Sequence, residues 1–223
     1  REEGGIQANA DPPRPAVAGR LRRHMTIAPE PLAMARVEPL SEPHFAGANK
    51  VFNDFVGGAG GGHGKVCCCC CACSTCPRSD GEFAAEHRKH PELRETSAVA
   101  LIDGKVIGST KLVFYGQHQG AVDQCLHTPK KDEAYVDHLA VDASARGRGV
   151  GTEMLRWCEQ TARARGAKVL TLGVVKGNPA IRLYERFGFV QVPSERCDSA
   201  AVCCLFGRPH GQIGGVMMEK TLD

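Results

Sequence analysis

The chain has 223 residues, 42% of them hydrophobic, and its 28 Lys and Arg against 25 Asp and Glu leave a formal net charge of +3. Such a length buries a sizeable core in one or two domains, and so balanced a charge makes no demand for nucleic acid as a partner. No stretch reaches the run of about 18 apolar residues that a membrane span requires.

Residues 1–34 scatter Pro12, Pro13, Pro15, Pro29 and Pro31 among Ala, Arg and Gly without a sustained period, and read as a disordered lead-in. The chain starts at Arg1 with neither a methionine nor a secretory apolar segment, so a processed or truncated product is expected and export is not. Organelle import stays open as an alternative, because residues 12–29 carry arginines and no Asp or Glu. From Ala35, ARVEPL forms a short strand and SEPHFAGANKVFNDFV a helix. Ser41 suits its cap and Pro43 its first turn, while Phe45, Ala48, Val51, Phe52 and Phe55 fall at helical spacing.

From Gly57 to about Ser79 the sequence GGAGGGHGKVCCCCCACSTCPRSDG is of low complexity and reads as a surface insertion. Seven of the twelve cysteines lie between Cys67 and Cys76, the others being Cys125, Cys158, Cys197, Cys203 and Cys204. Neighbours in a five-cysteine run cannot each reach a disulfide partner, so the compartment is read as reducing and intracellular, cytoplasmic or otherwise. Zinc could use four of the seven thiols with His63, and Cys67, Cys70, Cys73 and Cys76 before Pro77 approach an iron–sulfur run whose last gap is one residue short. Lipid attachment is a further alternative. The plain expansion is preferred, with no metal, and the segment is expected to be dispensable to folding and chemistry.

EFAAEHRKHPEL then gives a helix stopped at Pro91, and SAVALIDGKVIGSTKLVFYG two strands around the hairpin signal Asp103-Gly104. A polar connection, QHQGAVDQCLHTPKKDE, leads to the strand AYVDHLAV. A helix over 152–165 presents Met154, Leu155, Trp157, Cys158, Thr161 and Ala162, and KVLTLGVV is the next strand. In NPAIRLYERFGF, Asn178 is placed as cap, Pro179 at the first helical position, Ile181, Tyr184 and Phe187 on one stripe, and Gly188 as terminator. FVQVPSE, a cysteine-containing loop and GGVMMEKTL close the chain. This order describes one mixed-sheet α/β domain over residues 35–223.

The turn RGRGVG, Arg146 to Gly151, joins a strand to a helix and reads as a phosphate-binding turn, with alternating glycines that let backbone approach a ligand and arginines at a helix start. It lacks the lysine of a P-loop, and Thr152 stands where a dinucleotide fingerprint needs its third glycine. A glycine turn without a ligand is the remaining plain reading.

The whole of YVDHLAVDASARGRGVGTEMLRWCEQTARARGAKVLTLGVVKGNPAIRLYERFGF resembles the GCN5-related N-acetyltransferase (GNAT) superfamily. The family's acetyl-CoA signature, R/Q-x-x-G-x-G/A, is met by Arg146, Gly149 and Gly151. Its second half, a strand, an Asn and a helix whose Tyr precedes Gly-Phe, is met by Asn178, Ala180, Tyr184, Gly188 and Phe189. The specific likeness covers about residues 134–190, a weaker one most of the chain after Ala35, and the insertion has no counterpart in it. The resemblance implies an α/β (α+β) fold: a mixed, mainly antiparallel sheet flanked by helices, with splayed central parallel strands. It also implies acetyl-CoA as co-substrate.

On that resemblance the pantetheine arm pairs with the backbone of Leu139, Ala140 and Val141. The pyrophosphate meets free amides from Arg148 through Gly149, Val150 and Gly151 to Thr152, beside Arg146, and a Cβ at Gly147, Gly149 or Gly151 would block the approach. Asn178 contacts the cofactor or caps its helix alone. Acetyl transfer by direct attack needs a route for the proton of an amine whose pKa is near 10, and an acid for the departing thiolate. Tyr184 matches the family's acid. For the base the order is Asp137, Tyr135, His138, with His138 expected to face opposite to Asp137 so that both line one pocket only through a bulge. The oxyanion is assigned to a backbone amide of the Leu139 to Val141 strand.

The acceptor is an amine on a small molecule or a protein. A small amine is preferred, because the closing region lacks the paired tyrosines of many N-terminal-protein acetyltransferases. The chain is expected to be a monomer or homodimer. The alternative function is a catalytically silent GNAT fold acting as an acyl-CoA sensor or interaction module.

Overall fold

A computed structural model describes residues 34–58, 78–119, 124, 127–193 and 214–223. All of them belong to one compact unit, Ala33–Asp223. The lead-in through residue 33 and most of the glycine and cysteine run lie outside the described residues, as does the loop before the last strand.

The elements in chain order are β1 (Arg36–Pro39), α1 (Phe45–Gly58), α2 (Asp80–Lys89), α3 (Glu92–Glu95), β2 (Ser97–Ile102), β3 (Lys105–Phe114), β4 (Glu133–Val141), α4 (Val150–Ala164), β5 (Val169–Val175), α5 (Ile181–Arg186), β6 (Val190–Val192) and β7 (Gly215–Thr221). The strands form one seven-stranded sheet in the order β1-β2-β3-β4-β5-β7-β6. Every pairing is antiparallel except β4 with β5, which is the mixed, mainly antiparallel sheet expected.

Period-two alternation sorts the strand residues between the faces. Val99 and Leu101 of β2 pack with Leu40, Phe45, Ala48 and Phe83 under α1 and α2. Ala100 joins Ile107, Val150 and Met154 under α4. The largest cluster sets Leu112, Ala134, Val136, Leu170 and Met218 of the sheet against Leu155, Cys158 and Ala162 of α4. The β2–β3 hairpin turns at Asp103 (φ 50°) and Gly104 (φ 75°), both in the left-handed region that a tight hairpin turn of this hand requires.

Two helix starts differ in detail from expectation. Ser41 precedes a single 3-10 turn, Glu42–His44, with its hydroxyl on His44 Nδ1 at 3.1 Å rather than on a backbone amide. Pro43 lies within that turn, where the amide it lacks would have no intrahelical partner. The second difference concerns Arg78 and Ser79, at the end of the predicted insertion, which are built into the fold. Arg78 exchanges backbone hydrogen bonds with the Asn53 side chain and forms an ion pair with Glu86. Ser79 caps α2 through a reciprocal box, its hydroxyl accepting from Glu82 N at 3.2 Å while Glu82 Oε2 accepts from Ser79 N at 2.8 Å. Ser79→Ala is expected to lower stability by about 1 kcal/mol, read as a shift in the urea midpoint at unchanged slope.

Candidate active site

Strands β4 and β5 start as neighbours and then part. Their ladder runs from Glu133↔Val169 to Val136↔Leu172 and stops, although β4 continues to Val141 and β5 to Val175. Over the same stretch β4 stays paired to β3 as far as Gly108↔Val141, and β5 to β7 as far as Val175↔Gly215. The divergence therefore opens a cleft inside the sheet, with one backbone edge of Asp137–Val141 facing it. Its cause lies in β4, where Lys111↔His138 is followed by Leu112↔Val136, so Asp137 is an extra residue. A bulge bends its strand and increases the local twist, here at the last residue paired to β5.

The turn after β4 carries the chain to α4. Arg146 Nε donates to Val141 O at 3.3 Å, and Gly147 (φ 74°) and Gly149 (φ 81°) are left-handed, with Gly149 as the residue capping α4. An added Cβ at either would meet no atom within 4 Å, so these glycines are required by backbone conformation, and the space beside them is open. At Gly151 the reason differs, because a Cβ would lie 3.0 Å from Leu183 Cδ2 of α5. The amide of Thr152, expected to be free, is spent on Gly149 O at 2.9 Å. Those of Val150 and Gly151 open the helix, where no acceptor exists within it.

Across the cleft, α5 starts at Ile181, two residues later than Pro179 would have it. Asn178 caps the turn before the helix, its Oδ1 accepting from Ala180 N at 2.9 Å. The helix ends in a full Schellman arrangement: Gly188 N donates to Glu185 O and Phe189 N to Tyr184 O, both at 3.0 Å, with Gly188 at φ 97°. The Tyr184 and Phe189 rings meet edge-on at 6.0 Å, the apolar contact that accompanies this motif. Tyr184 is thus fixed by backbone and packing without use of its hydroxyl.

On the α1 and α2 face, the bulge turns both Asp137 and His138 into one small cavity lined also by Phe52, Arg78, Phe83, Glu86, His87, Ser109 and Lys111. Strict alternation would have sent His138 to the other face. Tyr135 does not line this cavity; it packs with Met217 and Val192, its ring 4.7 Å from that of His127.

The model of the acetyltransferase (GNAT) family matches residues 70–189, more than half of the 223. The chain belongs to the GNAT acetyltransferase family. Among curated relatives, it is 38% identical over 69 residues to the mycothiol acetyltransferase of Corynebacterium glutamicum, covering 30% of this chain and 23% of that one. It is 36% identical over 61 residues to an uncharacterized N-acetyltransferase of Methanocaldococcus jannaschii, covering 27% of each. The chain thus spans about a quarter of the length of the curated relatives it matches. Similar solved GNAT folds include yncA of Salmonella typhimurium with its cofactor acetyl-CoA (TM-score 0.58, 16% identity, 85% of this chain and 94% of that one). The ribosomal-protein-S18-alanine N-acetyltransferase of Escherichia coli is similar at TM-score 0.52 and 18% identity over 85% and 95%.

The electrostatics of the cavity under α1 and α2 bring in groups that the sequence did not single out. Lys111 of β3, 9% exposed, places Nζ 3.2 Å from Asp137 Oδ2. Although burial raises the Asp137 carboxyl, Lys111 and then His138 outweigh it and hold it well below the usual range. His138 is held below its ordinary value by burial first, with Asp137 pulling upward and Lys111 and Arg78 downward. Burial pushes the Tyr184 phenol up to about 12, with neighbouring Cys158 adding to it. No motif marks Ser109 and Lys111 of β3, Glu86 of α2 or Arg78 before it, which reach the cavity from two separate parts of the chain. The one signal available was the position of Lys111 within the strand run KVIGSTKLVFYG, where an unpaired buried ammonium is costly. No helix among the described residues is long and apolar enough to cross a membrane, and none of their His, Cys, Asp and Glu side chains gathers into a metal-binding group of three.

Proposed function

We propose that the chain transfers an acetyl group from acetyl-CoA directly to a primary amine, in a reducing intracellular compartment. The observation that carries this reading is the divergence of β4 from β5 beside the glycine-rich start of α4. Acetyl-CoA supplies the acetyl group already activated as a thioester. Leu139, Ala140 and Val141 offer an unladdered backbone edge to its amide-bearing arm. Open space at Gly147 and Gly149, the amides of Arg148, Val150 and Gly151, and the guanidinium of Arg146 suit a diphosphate at a helix start. Thr152 contributes its hydroxyl rather than its amide, and Asn178 faces the same cofactor while capping the turn before α5.

Tyr184 holds a proton at every working pH and is the group assigned to protonate the leaving sulfur. A small amine is favoured over a protein as acceptor, since the chain has only three tyrosines and none in its closing region. The test is calorimetry with acetyl-CoA, followed by release of free thiol with a broad panel of amines and peptides. Saturable binding with thiol release on at least one amine is expected. An absence of binding overturns the reading, and binding without turnover on any amine leaves a silent acyl-CoA sensor in its place.

A further inference from the structure

Four polar side chains converge in the cavity under α1 and α2. Ser109 Oγ is 3.1 Å from His138 Nε2, His138 Nδ1 is 3.6 Å from Asp137 Oδ2, and the same Oδ2 is 3.2 Å from Lys111 Nζ. The Phe52 ring meets the His138 ring edge-on at 5.0 Å and closes the α1 side. The charged and titratable groups facing His138 are Asp137 beside it, Lys111 from β3, Arg78 from the segment before α2, and Glu86 and His87 from α2. Phe52 of α1 is apolar.

The two acidic and basic partners are not equivalent. Asp137 is already committed, because a carboxylate paired with a buried ammonium gives up that attraction when it takes a proton. His138 is tied less closely, its Nδ1 lying 3.6 Å from the same Oδ2. A carboxylate oxygen can only accept, which favours a neutral ring with its hydrogen on Nδ1 and its Nε2 lone pair toward Ser109. A hydroxyl can receive a proton on oxygen while passing its own on, so Ser109 bridges the cavity to that lone pair without changing its own charge.

Resting on the acetyltransferase reading, we propose that His138 Nε2, reached through the Ser109 hydroxyl, takes the proton lost by the acceptor amine, while Asp137 and Lys111 are positioning residues that hold the ring in its Nδ1–H tautomer. The nitrogen–acetyl bond forms as the carbon–sulfur bond breaks. The acceptor ammonium gives up two protons: one passes to His138 before the nitrogen–acetyl bond forms, and the second leaves nitrogen as the carbon–sulfur bond breaks and offsets the one that Tyr184 gives to sulfur, so that His138 returns one proton to solvent. Buried ion pairs give little net stability against apolar residues of the same volume, so packing alone gives no account of this set.

The first measurement needs neither acceptor nor coenzyme. Nitrogen NMR of the full chain labelled in histidine, with His138 assigned by the signal lost in His138→Gln, should show a neutral Nδ1–H ring at pH 7. Asp137→Asn removes an attraction for the imidazolium, so its midpoint should fall further and the tautomer bias vanish. Lys111→Gln removes a repulsion, so the midpoint should rise, and Lys111→Arg should restore it. An Nε2–H tautomer or an imidazolium at pH 7 in the unaltered chain overturns the proposal. The second measurement uses acetyl-CoA with benzylamine, spermidine and a peptide beginning in alanine. His138→Gln should lower kcat by about 100-fold and Ser109→Ala by about tenfold, both recovering as pH nears the amine's own pKa, roughly 9–10 for the two alkylamines and about 8 for the peptide's α-amino group, with coenzyme affinity unchanged. Unaltered kcat in both variants, when chemistry limits turnover, overturns the relay and leaves the acetyltransferase reading intact. An unaltered chain that acetylates none of the three amines overturns that reading, and the relay with it.

Discussion

Tyr184→Phe is expected to lower kcat by one to two orders of magnitude and to leave the affinity for acetyl-CoA unchanged. The ring is 8% exposed, packs edge-on with Phe189, and has its backbone tied by the Schellman bonds that end α5, none of which uses the phenolic oxygen. Phenylalanine keeps the ring and those bonds and removes a single donor. With its phenol raised to about 12, Tyr184 stays protonated in the folded chain far above neutrality, and it is also protonated when unfolded at neutral pH. Its ionisation therefore contributes no pH dependence of stability below about pH 9. The checks are steady-state rates with chemistry limiting, and calorimetric titration of the coenzyme. A variant with unchanged turnover reduces Tyr184 to a packing residue.

Gly149→Val is expected to weaken acetyl-CoA binding by tenfold or more and to lower stability by about 2 kcal/mol. At φ 81° a side chain with a branched Cβ is strained by at least the roughly 1–2 kcal/mol that an ordinary L-residue meets in the left-handed region. The strain is relieved only by rotating the turn, which moves the first amides of α4 away from the cleft. Gly151→Ala is the control: the position is helical, where alanine is favoured by about 1 kcal/mol over glycine, and the Cβ contact at 3.0 Å is with the flexible end of Leu183. Its effect on stability should be small, and its loss of affinity well below that of Gly149→Val. Coenzyme titration and thermal melting of both proteins separate binding from folding. Equal affinity in Gly149→Val and the unaltered chain rules out the turn as part of the site.

The parts of the site legible in the sequence are those encoded by a few neighbouring residues. The turn RGRGVG needs left-handed backbone at Gly147 and Gly149, and only glycine takes it freely, so the signal and its cause occupy the same positions. Gly188 ends α5 for the same reason, and the hairpin at Asp103-Gly104 is equally local. The helical stripe on α4 and the strand alternation in β2 are short-range periods, and the sheet class follows from their order.

What only the tertiary structure decided is how distant segments are set against one another. The extra residue at Asp137 exists only relative to β3, whose register across from β4 is not written in AYVDHLAV, and a shift of one residue exchanges the faces of every side chain beyond it. That shift brought His138 beside Asp137, separated Tyr135 from both, and opened the sheet beyond Val136. The partner that holds Asp137 ionised, Lys111, lies on another strand, and Arg78 and Glu86 arrive from α2 and the segment before it. A carboxyl's proton affinity depends on which charges fold against it, so the choice between Asp137 and His138 belongs to the packed sheet, whereas the glycine turn is specified by its own backbone angles.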